Sequence, residues 1–395
     1  MSFARHYIQQ HIEVPALIDP GPSPDLGIVV VIPSCDEPEL LKTIESLYCC
    51  KPAGCGVEVI VVINEAQDCP VEICSQNERT MFLLEDWKQE NRGAFFALYP
   101  LHLNPFPKKH AGVGLARKTG MDEAVRRFDW LNKPDGVIVS LDADTLVEPN
   151  YLTAIEKLFY FERCPVGTTI RFEHRTGEIK DEVQREGMVL YEAYLHYYKE
   201  ALAYSGYPHA IYTIGSAFAV RADAYVRQGG MSRRQAGEDF YFLHKLTQLG
   251  KLAELNTTCV YPSARVSARV PFGTGAALQK WVKGDDRLRQ TYNFRSFADL
   301  KNFFDLATFL YPVDRYDPEA WGISEPVSRF LENDHFGEAL HQIRQNSSSP
   351  GAFAKRFFQY FNAFKVLKFL NFTHTRFYEY QDLYLAWSDL KAAQA

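Results

Sequence analysis

The chain has 395 residues, of which 46% are hydrophobic and 23% charged, ordinary globular values that allow a sizeable core. That length fits two or three average domains, or one large α/β domain with appendages. A formal net charge of −6 and a pI near 6.0 argue against nucleic-acid binding by phosphate neutralisation, and no apolar run approaches the roughly 18–20 residues of a membrane span.

The first 26 residues read as a proline-bearing arm without the hydrophobic segment of a signal peptide, so a cytoplasmic protein is expected. Gly27–Pro33 is a continuous β-branched run, the pattern of a central strand buried on both faces. A helix is expected next, with Ser34 and Asp36 as caps, Pro38 in its first turn and Leu40, Leu41, Ile44 and Leu47 at helical spacing. Val57–Ile63 is a second buried strand, 71–91 an amphipathic helix, and Ala94–Tyr99 a third strand ended by Pro100. The cysteines at 35, 49, 50, 55, 69 and 74 match no C-x-x-C zinc pattern and have no histidine among them, which favours reduced thiols first and a structural metal second.

The glycine-punctuated loop Lys108–Gly114, which includes His110, opens a helix running through Phe128. The apolar run Gly136–Leu141 then ends in Asp142-Ala143-Asp144. Alone the D-x-D triplet is a weak signal, but its place at the carboxyl end of a buried strand is where ligands gather in open α/β sheets. A divalent cation bridging the carboxylates to a phosphate-bearing ligand would justify two negative charges there. The alternative is that Asp142 caps a helix starting near Glu148. Strands alternating with helices at this spacing predict a doubly wound, largely parallel sheet.

Further along, Val166–Phe172 and Ile214–Val220 read as strands, and Asp181–Ala203 and Glu238–Leu249 as helices, the last after the turn Gln235-Ala236-Gly237. Tyrosines 191, 194, 197, 198, 204, 207 and 212 crowd around His196. Core packing is the first reading of their helical spacing and a sugar-stacking platform the second. Arg265, Arg269 and Gly273–Gly275 make a basic stretch that suits either closure over a diphosphate or a solvated loop. From about Asn293 the chain is Phe-rich and helical with a polar break at 346–351. Its basic, aromatic segment 355–370 is read first as packing on its own domain and second as a peripheral membrane contact.

Four segments in order resemble family 2 glycosyltransferases of the GT-A fold. They are Val31–Glu37, Gly112–Gly120 with Arg117 at its centre, Asp142-Ala143-Asp144, and Gly215–Arg221 followed by Gly229-Gly230 and Gly237-Glu238-Asp239. The resemblance covers roughly residues 27–250. It implies a Rossmann-like mixed sheet flanked by helices, with the nucleotide-sugar-binding half at 27–145, the acceptor-binding half at 146–290 and a helical C-terminal region at 291–395.

The same resemblance implies transfer of a sugar from a nucleotide-diphosphate sugar, of UDP or GDP type, to a saccharide or lipid-linked hydroxyl. Pro33, Ser34, Asp36 and Glu37 would line the nucleoside pocket, Gly112 would let backbone approach the ligand, and Arg117 would reach the base or phosphates. Asp144 would hold Mn2+ or Mg2+ directly, Asp142 would touch the ribose or the metal through water, and Ala143 would lie between them in the donor-binding turn. Asp239 would be the general base of an inverting, non-processive reaction, with Glu238 orienting it or binding acceptor hydroxyls. Asn64-Glu65 stands where the family usually has an aspartate on the base, and Lys118 where asparagine commonly follows the arginine. The rival readings are a retaining transferase and a catalytically silent nucleotide-sugar-binding or scaffold protein.

Overall fold

The computed structural model describes all residues except 1, 104, 108, 110, 165, 236, 268–272, 308 and 312–316, so Lys108, His110, Ala236 and Arg269 lie outside the described residues. Two compact units are present, one made of residues 1–179 and 213–276, the other of 180–212 and 277–395. The helical unit thus begins at 277 rather than 291 and also takes in the segment 180–212.

In chain order, α1 (Arg5–His11) precedes β1 (Leu26–Ser34), α2 (Leu40–Tyr48), β2 (Gly56–Ile63), α3 (Val71–Glu90), β3 (Phe96–His102) and α4 (Val113–Trp130). Then come β4 (Val137–Ser140), β5 (Leu146–Val147), α5 (Tyr151–Glu156), β6 (Gly167–Phe172) and α6 (Glu182–Tyr204). They are followed by β7 (Phe218–Arg221), α7 (Ala222–Arg227), α8 (Glu238–Leu246), β8 (Ala253–Tyr261) and α9 (Thr274–Val282). The chain closes with β9 (Gln290–Thr291), α10 (Phe294–Asp305), α11 (Glu325–Asn333), α12 (Phe336–Gln345), α13 (Pro350–Tyr360), α14 (Ala363–Arg376), β10 (Gln381–Asp382) and α15 (Leu383–Gln394).

The first unit is built on an eight-stranded sheet of order β3-β2-β1-β4-β7-β6-β8-β5. From β3 to β4 neighbouring strands are parallel, as helical crossovers require. Beyond β4 the sheet is mixed: β7 runs antiparallel to β4 and β6, and β5 antiparallel to β8. The largely parallel sheet expected from sequence is corrected in this half. Between β6 and β7 the chain passes through α6, a member of the helical unit, and returns in the opposite direction. The mixed α/β sheet flanked by helices is the architecture the resemblance implies.

Every residue of β1 and nearly all of β2 is buried, which is what their unbroken β-branched runs demand. Three local expectations change. The helix after β1 starts at Leu40 behind Glu39, without a side-chain cap, so neither Ser34 nor Asp36 caps it; Asp36 instead takes a left-handed conformation, φ 51°. Pro100 lies inside β3, which is tolerated because β3 is the sheet's edge strand. β8 was not read from the sequence, since only Leu255, Thr258, Cys259 and Val260 of its nine residues are buried and no apolar run marks it.

In the second unit the aromatics form a packed core. Phe303 lies 5.6 Å between ring centroids from each of Phe336, Phe357 and Phe361. Tyr197 is buried, donates to the Tyr292 carbonyl at 2.9 Å and meets Phe297 edge-on, so it is a packing residue. The segment 355–370 is not one helix: α13 ends at Tyr360 and Asn362 caps α14 through the Lys365 N–H at 3.1 Å. Phe357, Phe361 and Phe369 are buried, and Phe364 is the large apolar side chain the segment exposes. No helix among the described residues is long and apolar enough to cross a membrane.

Helix α4 lies on the sheet through Gly120. A Cβ there would stand 2.4 Å from Val31 Cγ1 and 3.0 Å from Val62 Cγ2, stiff side chains of the two central strands. Gly120→Ala should therefore lose about 1–3 kcal/mol to overpacking, despite a helix-propensity gain of about 1 kcal/mol. A lowered urea midpoint at unchanged m-value checks this.

Candidate active site

β1 and β4 are parallel neighbours, so their carboxyl ends share one edge of the sheet. Leu141 extends the ladder by donating to the Val31 carbonyl at 3.1 Å, and Asp142-Ala143-Asp144 then leaves the sheet. The turn is held from below by Thr43, whose buried hydroxyl donates to the Ala143 carbonyl at 2.9 Å, and internally by Thr145 N–H on the Asp142 carbonyl at 3.1 Å. Both carboxylates keep access to solvent, with 36% of the Asp142 side chain and 29% of the Asp144 side chain exposed. The capping alternative fails, because α5 begins at Tyr151 and Glu148 is occupied by Cys259 N–H and the Tyr261 hydroxyl.

Arg117 projects from α4, 2% exposed, and forks between Glu238 Oε1 and Asp142 Oδ1. Burial acts to lower its pKa, but Glu238, Asp142 and Asp239 outweigh that effect and hold it above the ordinary arginine value. Its described partners are these carboxylates; the reach to a base or phosphate expected from sequence is replaced by an internal clamp. Gly215, just before β7, makes room for that clamp, since a Cβ there would lie 2.7 Å from Arg117 Nη2. The Gly215 carbonyl is fixed by the buried Ser140 hydroxyl at 2.6 Å.

Glu238 and Asp239 open α8 behind Gly237, which takes φ 71° as the N-cap. Glu238 is 2% exposed and paired with Arg117, so it is a clamp residue rather than one open to a hydroxyl. Asp239 is half-buried and accepts the Phe240 N–H at 2.7 Å. Burial first, and the Glu238 charge second, push its pKa up to about 7 against the opposing pull of Arg117. It can thus exist in both protonation states near neutrality.

On the nucleoside side, Pro33 and Ser34 are the last residues of β1 and Asn64 follows β2, its N–H bonded to the Ser34 carbonyl at 3.0 Å. Pro33 falls beyond the last bond between β1 and β4, where a missing N–H costs no ladder pairing. The Ser34 hydroxyl is buried without a hydrogen-bond partner among the described residues, an orphaned donor at the strand end. Glu37 does not face the pocket freely: it is 2% exposed, receives Arg265 and accepts the Glu39 N–H at 3.0 Å. Arg265 Nη2 also lies 3.9 Å from Asp144 Oδ2. Gly112 and Gly114 serve the chain itself, because Cβ atoms there would stand 3.0 Å from Gln235 Cα and 2.1 Å from the Arg234 carbonyl oxygen.

Sequence reasoning missed Asn77, which is buried on α3. It accepts the Asp36 N–H at 2.9 Å and donates to the Asn64 carbonyl at 3.2 Å and to Glu65 Oε2 at 3.0 Å. An asparagine on the inner face of an amphipathic helix was the one available signal. Asp142 and Asp144 offer hard oxygen donors suited to Mg2+ or Mn2+, cations that bind through one or two carboxylates and complete their shells with phosphate and water.

No protein-family model matches the chain, and no curated protein does. Among solved structures, S. aureus TarS 1–349 in complex with UDP-GlcNAc is similar over 85% of this chain and 91% of its own, with 11% identity and a TM-score of 0.45. The mannosyltransferase PcManGT from Pyrobaculum calidifontis, in complex with GDP-Man and Mn2+, is similar over 99% of this chain and 92% of its own, with 14% identity and a TM-score of 0.39. Similarity at this level transfers neither a substrate nor a residue's role.

Removing one partner of a buried ion cluster leaves the others uncompensated. Arg117→Ala should destabilise the protein by about 3–5 kcal/mol in urea unfolding. Arg117→Lys should not restore it, because an ammonium cannot fork to both carboxylates. A loss below about 1 kcal/mol, within the range of an exposed pair, would sink this account of the clamp.

Proposed function

We propose that the chain is a metal-dependent glycosyltransferase that moves a sugar from a nucleotide-diphosphate sugar, of UDP or GDP type, to an acceptor hydroxyl with inversion. The observation that carries the reading is the Arg117 clamp. It ties the Asp142-Ala143-Asp144 turn to the start of α8 and so brings a cation-binding carboxylate pair together with a carboxylate whose pKa lies near 7. Asp144, with Asp142 assisting, would hold a divalent cation, which would neutralise the negative charge growing on the leaving diphosphate oxygen. Ser34, with its unpaired hydroxyl, and the Asn77-fixed turn at Asp36 and Asn64 form the nucleoside side.

Asp239 takes the proton of the acceptor hydroxyl as its oxygen attacks the anomeric carbon, opposite the diphosphate. A base titrating near 7 is matched to that task at neutral pH. Glu238 acts through Asp239, raising its pKa while itself held by Arg117. The acceptor is a saccharide or a lipid-linked sugar. With the apolar side chains at 357, 361 and 369 used in packing, a peripheral membrane contact through 355–370 would rest on Phe364 and the neighbouring lysines.

Thermal shift against UDP-, GDP-, CMP- and dTDP-sugars, with and without Mn2+, tests the donor site. A Mn2+-dependent rise is expected with one nucleotide class and should disappear in Asp144→Ala. No shift with any nucleotide would overturn the transferase reading.

For the base, kcat/KM should rise through an apparent pKa of about 7 and level above it. Asp239→Asn should lower kcat/KM by about 10^2- to 10^4-fold and remove that arm of the profile. The stability counterpart has a definite sign. A carboxyl raised from 3.8 to about 7 contributes stability that is full below the lower value and lost as pH rises through the upper. Asp239→Asn should therefore raise Tm at about pH 8 and leave it unchanged at about pH 4.

A further inference from the structure

The loop after β2 gathers donors that the proposed transfer does not use. Among the described residues, one group of three His, Cys, Asp or Glu side chains has its ligand atoms all within 4.8 Å of one another: Glu65, Cys69 and Cys74. Glu65 and Cys69 lie between β2 and α3, and Cys74 is in the first turn of α3. His102 ends the neighbouring strand β3, and its Nε2 is 3.6 Å from Glu65 Oε2. In a tetrahedral zinc site with bonds of about 2.0–2.2 Å, adjacent nitrogen and oxygen ligands are about 3.4 Å apart, so the Glu65–His102 edge is nearly formed, while His102 itself stands outside the group of three.

The surroundings are also those of a ligand set. Asn77 Nδ2 donates to Glu65 Oε2 at 3.0 Å, the kind of outer hydrogen bond that orients a ligating carboxylate. The loop backbone is pinned, with Phe106 N–H on the Glu65 carbonyl at 2.8 Å, Gln67 N–H on the Phe106 carbonyl at 2.9 Å and Cys69 N–H on the Ala66 carbonyl at 3.0 Å. Glu65, Cys69 and Cys74 are half-buried, open enough to load and closed enough to retain. Two thiols, an imidazole and a carboxylate select zinc-type cations, in contrast to the all-oxygen pair at Asp142 and Asp144.

We propose that Glu65, Cys69, Cys74 and His102 form a structural zinc site that fastens the β2–α3 loop to the end of β3, beside the nucleoside pocket. Binding releases the two thiol protons to solvent and leaves the ion four-coordinate, with no redox step.

The test uses the full chain purified without chelators. Elemental analysis should find about one zinc per chain that survives dialysis. Cobalt(II) exchanged into the reduced protein should give a thiolate-to-cobalt charge-transfer band and tetrahedral d–d absorption. Cys69→Ser and Cys74→Ser should each lose or halve the charge-transfer band, while Cys49→Ser, an exposed thiol elsewhere, keeps it. His102→Ala should keep the band and weaken cobalt affinity by about tenfold or more. Cobalt bound at Asp142 and Asp144 gives no thiolate band, so the result stands apart from the fate of the transferase reading. Wild-type protein with free thiols that takes up no zinc and shows no band would overturn the site. So would a Cys69–Cys74 disulfide in the purified protein with no metal uptake after reduction.

Discussion

A guanidinium taken almost wholly out of water, at Arg117, is the constraint on which the rest of the site depends. Removing such a cation from solvent costs several kcal/mol, and only close, well-aligned carboxylates offset it. Here Glu238 comes from the start of α8 and Asp142 from the end of β4, so three separate elements are correct only together. Gly215 completes the requirement by leaving out the side chain that would displace the guanidinium. One cation among Glu238, Asp142 and the adjacent Asp239 leaves the last of these under-compensated. Burial first, and that imbalance second, push the Asp239 pKa up to about 7.

The elements governed by local pattern were legible in the sequence: the buried runs of β1, β2 and β4, the start of α4 at its glycines, and α8 after Gly237. What the sequence did not disclose is who takes each charge. Arg117 reads as a ligand-facing cation because its pairing with Glu238 spans 121 positions, and Glu37 reads as a pocket residue because Arg265 lies 228 positions away. Asn77 is invisible for the same reason, since its value lies in joining the turns after β1 and β2. β8 hides behind its threonines, and the 355–370 stretch conceals a cap at Asn362 that divides one amphipathic pattern into two helices.

The cysteines show the limit of spacing rules. The C-x4-C interval of Cys69 and Cys74 is wider than the C-x-x-C pattern, and the histidine that comes near them belongs to another element. Only the parallel pairing of β2 with β3, which sets Ile63 beside His102, carries an imidazole to the loop that holds Glu65. Donor chemistry then differs along the same edge of the sheet, with thiols and an imidazole beside Glu65 near the outer strand and carboxylates alone near the centre.

The charge balance at the sheet's edge favours a cation at the central carboxylates. Among the described side chains there, Glu37, Asp142, Asp144, Glu238 and Asp239 oppose Arg117 and Arg265. Both guanidinia are paired with carboxylates, Arg117 with Glu238 and Asp142 and Arg265 with Glu37. An anion approaching this edge meets net negative charge in a partly desolvated setting, where repulsion is stronger than in water. On the proposed reading, a divalent ion on the two solvent-accessible carboxylates would offset part of that negative charge. Entry of a phosphate-bearing ligand would then depend on that cation. The neutral form of Asp239, available below about pH 7, reduces the same repulsion from the opposite side.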